Sequence, residues 1–415
     1  AIVVFLLING LFLWVFPGSY NIMESGQARL DGLFSLAPYV FLFLIPAITM
    51  RSISEELRLG TLELLLTKPV SDFRLVMAKY LAGVFLVFMA ILPTLVYVIS
   101  VQVISLPPGL DTGATIGSYI GLLFLGAAFV GVGIFASCFT SSQVQAFLIA
   151  LLGCGIILLG PELAYGLFSS GTSSLFVRNL GIHAHYLSIS RGVIDFRDVV
   201  YFLSLPAFFI MLTLLKLASR KWLRNASTTY ARRHIGIFAT GVLLMLAMNV
   251  FASSRYFRVD LTADKRFTLT QTTKNLLRER DDRIHFRVYL EGEMPAAFQR
   301  FNRQIREMLD EFRAYSPMIS YSMVNPFEAA HDEMVQRRFR ELVSKGLEPS
   351  QIQVRADDAS STRILFPGAL ANYGEREVPV NFLQDRMGLG VEEILNASAD
   401  QLEFVLTSSI RRLVE

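Results

Sequence analysis

Arg51-Ser52-Ile53-Ser54-Glu55-Glu56-Leu57-Arg58-Leu59-Gly60-Thr61-Leu62-Glu63-Leu64-Leu65-Leu66-Thr67 is a polar phrase set between two long apolar runs, and it continues through Lys68-Pro69-Val70-Ser71-Asp72 to Lys79. Ile53, Leu57, Leu62, Leu64, Leu65 and Leu66 supply an apolar side, while Arg51, Glu55, Glu56 and Arg58 stay polar. The spacing predicts an amphipathic helix lying at a membrane surface, broken at Gly60 and ended before Pro69. Joined rigidly to spanning helices, such a helix passes force from a cytoplasmic partner into the membrane. A solvated loop between two spans accounts for the same residues on physics alone, and both readings stand.

The flanks decide the class of protein. Hydrophobic residues make up 53% of the chain and charged residues 18%, whereas soluble domains carry about a quarter charged residues. Residues 1–254 hold 15 Lys/Arg and 10 Asp/Glu, and residues 255–415 hold the other 23 and 25. The first part is membrane and the second a charged, nearly neutral domain. The net charge of +3 arises in the membrane half, where positive loops set orientation, and implies no nucleic-acid partner. Cys138 and Cys154 lie in apolar runs and read as small buried hydrophobes.

A span needs about 20 apolar residues. Seven are expected: 1–16, 33–50, 80–106, 116–139, 144–159, 199–217 and 235–251. Gly121, Gly126, Gly131 and Gly133 in the fourth suit close helix packing. The loops 51–79 and 219–234 each hold five Lys/Arg, which places both on the cytoplasmic side. Alternation then puts residues 255–415 outside. Arg178, Arg191 and Arg197 in the connection 168–198 run against that pattern.

The phrase from Ser52 to Ser71, standing just after a span, resembles the coupling segment of ABC-2 type exporter permeases, a likeness covering about residues 1–218. It implies that Arg51, Ser54, Glu55, Glu56, Arg58, Gly60, Thr61 and Glu63 face an ABC ATPase present in two copies. ATP and Mg would then be bound by that subunit, with no cofactor held by this chain. It further implies short re-entrant helices after the fifth span, with Pro161 and Glu162 at an outer gate. A solvated outer-loop carboxylate is an equal reading of Glu162, although ionisable groups at a membrane edge are costly and often functional.

Six spans, a basic linker (219–234) and a single anchoring span (235–254) look like two proteins joined end to end. After the anchor, Arg255-Tyr256-Phe257-Arg258-Val259-Asp260 and onward to Thr270 resembles the start of the extracytoplasmic auxiliary component of Bacteroidetes gliding-motility ABC transporters. The likeness continues through 288–295 and 306–312. It implies a permease fused to its auxiliary subunit in an inner membrane, with periplasmic motility or secretion components as further partners, and a domain that continues beyond residue 415.

Read from the residues, 255–415 is α/β. Strands are expected at 284–290, 319–324, 351–355, 363–372 and 377–382, and helices at 297–315, 329–345 and 392–414. Strand–helix–strand at its start suggests a parallel pair. The expected fold is therefore an α-helical ABC-2 type membrane domain, six spans plus one anchor, followed by an extracytoplasmic α/β domain.

No P-loop pattern occurs, so ATP hydrolysis is expected in a separate subunit. Gly388-Leu389-Gly390 is not positioned as a phosphate cradle. His183-Ala184-His185 has no further His or Cys nearby, which favours a structural role over a metal. Glu307, Asp310 and Glu311 alternate with Arg303, Arg306 and Arg313 at helical spacing and read as ion pairs on a solvated face. Three functions remain. One is a permease acting as a homodimer with lipid around it. A second is a force-transmitting scaffold across which nothing passes. The third is an anchored binding module. The coupling phrase favours the first two.

Overall fold

In hydrocarbon every backbone polar group needs an internal partner, so the apolar runs have little choice but to be helices. The computed structural model describes residues 2–16, 21–25, 30–67, 69–105, 109–167, 181–225, 228–254, 257–262, 268–278, 283–292, 294–316, 318–327, 332–356, 359–374, 376–383 and 391–414. They fall into two units, 1–265 and 266–415.

The first unit runs α1 (Ile2–Trp14), α2 (Ile22–Ser25), α3 (Asp31–Thr49), α4 (Ser54–Leu59), α5 (Thr61–Thr67), α6 (Asp72–Ile91), α7 (Leu95–Ile104), α8 (Thr112–Ser137), α9 (Gln143–Leu167), α10 (Ile182–Ser190), β1 (Val193–Asp195), α11 (Phe196–Asn225), α12 (Thr228–Ser254) and β2 (Arg258–Asp260). Among the described residues six stretches are long and apolar enough to cross a membrane: Asp31–Leu59, Asp72–Ile104, Thr112–Ser137, Gln143–Pro161, Phe196–Arg220 and Arg232–Ala252. Val3–Trp14 is a shorter apolar helix.

Helix α8 is the hub, packed against α3, α6, α9, α10 and α11. Its glycines take the close approaches that their spacing predicts. A Cβ on Gly126 would lie 2.5 Å from Val87 Cγ1, and one on Gly133 would meet Thr49. Helix α12, expected as a separate anchor, instead lies along α11. Asn249 donates to the Ser204 hydroxyl at 3.0 Å, Phe238 meets Phe208, and Met211 covers the bare Cα of Gly241. By contacts the chain divides after Lys265, with α11, α12 and β2 in the same unit.

Two details differ from the sequence reading. The third span starts at Asp72, capped by the Ser71 side chain, so Lys79 is two turns into a helix and not in a loop. The same span is interrupted by a 3-10 turn at Leu92–Thr94, because Pro93 has no N–H to continue the ladder.

The second unit comprises α13 (Gln271–Arg278), β3 (Ile284–Val288), α14 (Ala296–Tyr315), β4 (Ile319–Met323), α15 (Asp332–Ser344), β5 (Ser350–Ala356), β6 (Ala359–Leu365), β7 (Gly368–Tyr373), β8 (Arg376–Asn381), α16 (Val391–Asp400) and α17 (Leu402–Val414). Its sheet has the order β4-β3-β7-β8, with β3 and β4 parallel as expected and the other neighbours antiparallel. Phe298, Phe301, Ile305, Leu309 and Phe312 recur at helical spacing on α14 and are buried with Ile284, Phe286 and Val288. Burying each such side chain contributes about 1.5–3 kcal/mol.

The strand expected at 363–372 is two strands, split where Phe366-Pro367 intervenes. Its first part pairs with β5 in a separate hairpin. The last expected helix likewise divides at Gln401. On α14, Arg313 pairs with Asp310 at 2.8 Å, but Arg306 reaches Glu291 and Glu311 is buried, so the charges are not one solvated face.

His285 lies on the face of the sheet opposite Phe286, with Nδ1 2.9 Å from the Ser320 hydroxyl and Nε2 3.0 Å from that of Ser322. Burial, and then the Arg287 guanidinium, hold its pKa below the ordinary 6.5. A base with a depressed folded pKa costs nothing while neutral in both states. As pH falls through about 6.5 the unfolded chain takes the proton first, so folding weakens. The unfolding midpoint of this unit should therefore drop from pH 7.5 to pH 5.5, and by less in His285→Gln. An equal drop in both proteins would remove His285 as the cause.

Candidate functional site

Helices α4 and α5 carry the polar phrase, separated by Gly60 at φ +70°, a backbone position that L side chains avoid. The break lets one helix end and a second begin in a new direction. Ile53 and Leu62 are buried and Leu57 is packed against the membrane core, as the pattern predicts. Leu64 is not: it stands 67% exposed, beside Leu59 at 63%.

The phrase has an inner and an outer side. Inward, Ser54 is fully buried and donates its hydroxyl to the Met50 carbonyl. Glu56 turns toward α6, where Lys79 Nζ meets its carboxylate at 2.5 Å. The same ammonium donates to the Ser52 carbonyl at 2.5 Å, so one lysine holds both the turn before α4 and the helix itself. Thr61 reaches back to the Glu56 carbonyl at 3.5 Å. Outward, Arg51, Arg58, Leu59, Gly60, Glu63 and Leu64 are exposed, and Glu55 lies 3.9 Å from Arg58.

The geometry thus divides the residues named from sequence. Glu56 and Ser54 brace the segment, while Arg51, Glu55, Arg58 and Glu63 line its open side. Sequence reasoning missed Lys79, 23 residues from its partner, and it assigned Leu64 inward. A lysine seven residues into a capped helix, Ser71-Asp72 onward, was the available signal.

At the other end of the bundle β1 and β2 form a short antiparallel ladder, a link that the sequence gives no hint of. Leu261 N–H donates to Gly192 O and Phe196 N–H to Phe257 O, both at backbone hydrogen-bond distance. Asp195 and Arg258 fall between these bonds, as a cross-strand pair with close side chains. Arg258 Nε and Nη2 reach the two carboxylate oxygens at 2.5 and 2.8 Å, a bidentate pair with side chains only 15% and 10% exposed. Around it three glycines admit backbone on backbone. A Cβ on Gly113 would lie 1.7 Å from the Leu261 carbonyl oxygen, and one on Gly117 would lie 2.6 Å from the Cα of Gly192.

His185 stands nearby in the chain, with Nδ1 2.7 Å from Asp198 Oδ1 and its ring stacked on Tyr201. His183 packs by Tyr186. Among the described residues no group of three or more His, Cys, Asp or Glu could hold a metal. Helix α9 continues without a break through Pro161 to Leu167, and Pro161 is half-buried. The side chain of Glu162, the stretch 168–180 and Gly388-Leu389-Gly390 lie outside the described residues.

A family model described as ABC-2 family transporter protein matches residues 23–261. A second, described as a domain of unknown function (DUF7088), matches residues 263–372. No curated protein and no solved structure matches the chain.

Proposed function

From the premise that the chain belongs to the ABC-2 family of transporter proteins, a multi-pass membrane protein, we propose that it is the permease subunit of an ATP-driven complex. ABC-2 permeases generally partner with an ABC ATPase, and α4–α5 is the segment we assign to that contact. The observation that carries the reading is the two-sidedness of α4–α5. One side is fixed to α6 through Lys79, and the other presents Arg58, Leu59, Glu63 and Leu64 to solvent. A segment so built receives a push on its open side and delivers it to a spanning helix. ATP and Mg stay with the ATPase, and this chain performs no hydrolysis. Two copies of the chain bind two copies of the ATPase, because one copy presents a single coupling segment and closed two-fold pairing is the common solution.

Leu59→Asp combined with Glu63→Lys should leave the fold intact, because both side chains are exposed. It should lower stimulation of the co-expressed ATPase by about tenfold, the loss of roughly 1.4 kcal/mol at an interface. Unchanged stimulation would remove the segment from the contact. A cysteine at Ser227 should react with an impermeant thiol reagent only after the inner membrane is opened. Reaction on intact cells would reverse the orientation that puts residues 266–415 in the periplasm.

The likeness of 255–270 to the gliding-motility auxiliary component supports a place in gliding, with periplasmic partners for the second unit. A second reading is favoured by the β1–β2 ladder, which fastens the segment leading into that unit to the outer end of the membrane helices. In that reading ATP-driven movement is relayed outward and nothing crosses the bilayer. Solute uptake into vesicles holding the complex separates the two.

A further inference from the structure

We propose that the paired ends of α11 and α12 form a binding site for anionic phospholipid headgroups. The proposal goes beyond the ATPase contact and depends on no part of it. Between Asp198 and Asp260 the sequence has no acidic residue, while α11 carries Lys216 and Arg220 and α12 carries Arg232 and Arg233.

Length fixes where these charges stand. Helix α11 has 30 residues, about 45 Å at 1.5 Å per residue, against a hydrocarbon core about 30 Å thick. Lys216, 20 residues along it, therefore reaches the far boundary, and Arg220 lies one turn beyond. The two helices run antiparallel, with Ser204 beside Asn249 and Met211 on Gly241. The same register brings Arg220 level with Arg232, and Arg220, Arg232 and Arg233 are exposed.

Neither Lys216 nor Arg220 has a carboxylate partner among the described residues. Lys216 Nζ lies 4.8 Å over the Phe139 ring, and Arg220 Nη2 donates to the Cys138 carbonyl at 3.3 Å. That second contact helps to satisfy the C-terminal end of α8 and fixes the guanidinium, whose other N–H groups are left over for an anion. Lys216 itself is half-buried near the end of the apolar run. At that depth a lipid phosphate can reach it and a soluble acidic protein cannot. Clustered Lys and Arg at the end of spanning helices draw anionic headgroups for this reason.

The chain has two tryptophans, Trp14 and Trp222, so Trp14→Phe leaves Trp222, two residues after Arg220 in the sequence, as the reporter. The full chain carrying that change is reconstituted with brominated phosphatidylglycerol or brominated phosphatidylcholine at equal mole fraction. Phosphatidylglycerol should quench Trp222 with an apparent association constant several-fold higher, and added salt should shrink the difference. Lys216→Gln, Arg220→Gln, Arg232→Gln and Arg233→Gln together should bring the ratio to about one, while Lys216→Arg with Arg232→Lys and Arg233→Lys keeps it. Equal quenching by both lipids in the parent overturns the proposal. So does a ratio unchanged in the fourfold variant, above all if that variant instead loses its ATPase, which would make the surface a protein contact.

Discussion

Lys79→Glu sets two carboxylates against each other where an ammonium now joins Glu56 to the Ser52 carbonyl. We expect ATPase stimulation to fall at least tenfold with the ATPase still bound, because the outward side of α4 is untouched. The pair is about one-fifth exposed on each side, so its loss should cost about 1.5–3 kcal/mol of stability, the range for hydrogen bonds to charged groups. Reversing both partners, Glu56→Lys with Lys79→Glu, restores the attraction but not the second bond to Ser52. It should recover part of the stability and part of the stimulation. Two measurements decide: a binding isotherm with the ATPase, and its turnover in the complex. If Lys79→Glu abolishes binding as well, α4 is a docking surface only, and the brace carries no signal. This outcome differs from that of Leu59→Asp with Glu63→Lys, where binding itself is expected to weaken by about tenfold.

The second large effect is expected at the β1–β2 ladder. Arg258→Ala leaves the Asp195 carboxylate without its bidentate partner at a site only 10% exposed, and breaking a buried pair in this way costs about 3–5 kcal/mol. Gly113→Val should be as severe for a different reason, because even the first carbon added there meets the Leu261 carbonyl at 1.7 Å. In both variants β2 should leave β1, and trypsin should then cut after Arg258, which the paired strand protects. Asp195→Asn with Arg258→Met removes both charges at similar volume and should return most of the stability. Trypsin resistance in Arg258→Ala equal to that of the parent would show that the ladder stands without the ion pair.

What the sequence made legible was whatever repeats over a long enough stretch. The apolar runs are many turns long, so the spans were readable, and Ile53 and Leu57 stand on one side by spacing alone. The small-residue side of α8 was legible for the same reason. Contacts between distant residues were not. Lys79 and Glu56 are joined only because α6 starts at Asp72, earlier than hydropathy suggests. Strands of three residues such as Val193–Asp195 are too short to show alternation, and their partner lies beyond two helices. Glu311 has the composition of a surface position, and its burial reflects the helices laid over α14. Phe366-Pro367 broke an apolar run that looked continuous, because proline withholds the N–H that a central strand needs.

The ladder bears on how much the continuity of the polypeptide matters. Helix α12 follows α11 in the chain, but is also held to it by Asn249 on Ser204, by Phe238 on Phe208 and by the paired strands β1 and β2. If the chain were cut between the two helices, the two fragments would each still carry half of every one of these contacts. Made as separate polypeptides, 1–225 and 228–415 should find each other in the bilayer and co-purify. The single chain is then one way of delivering an assembly that non-covalent contacts already specify.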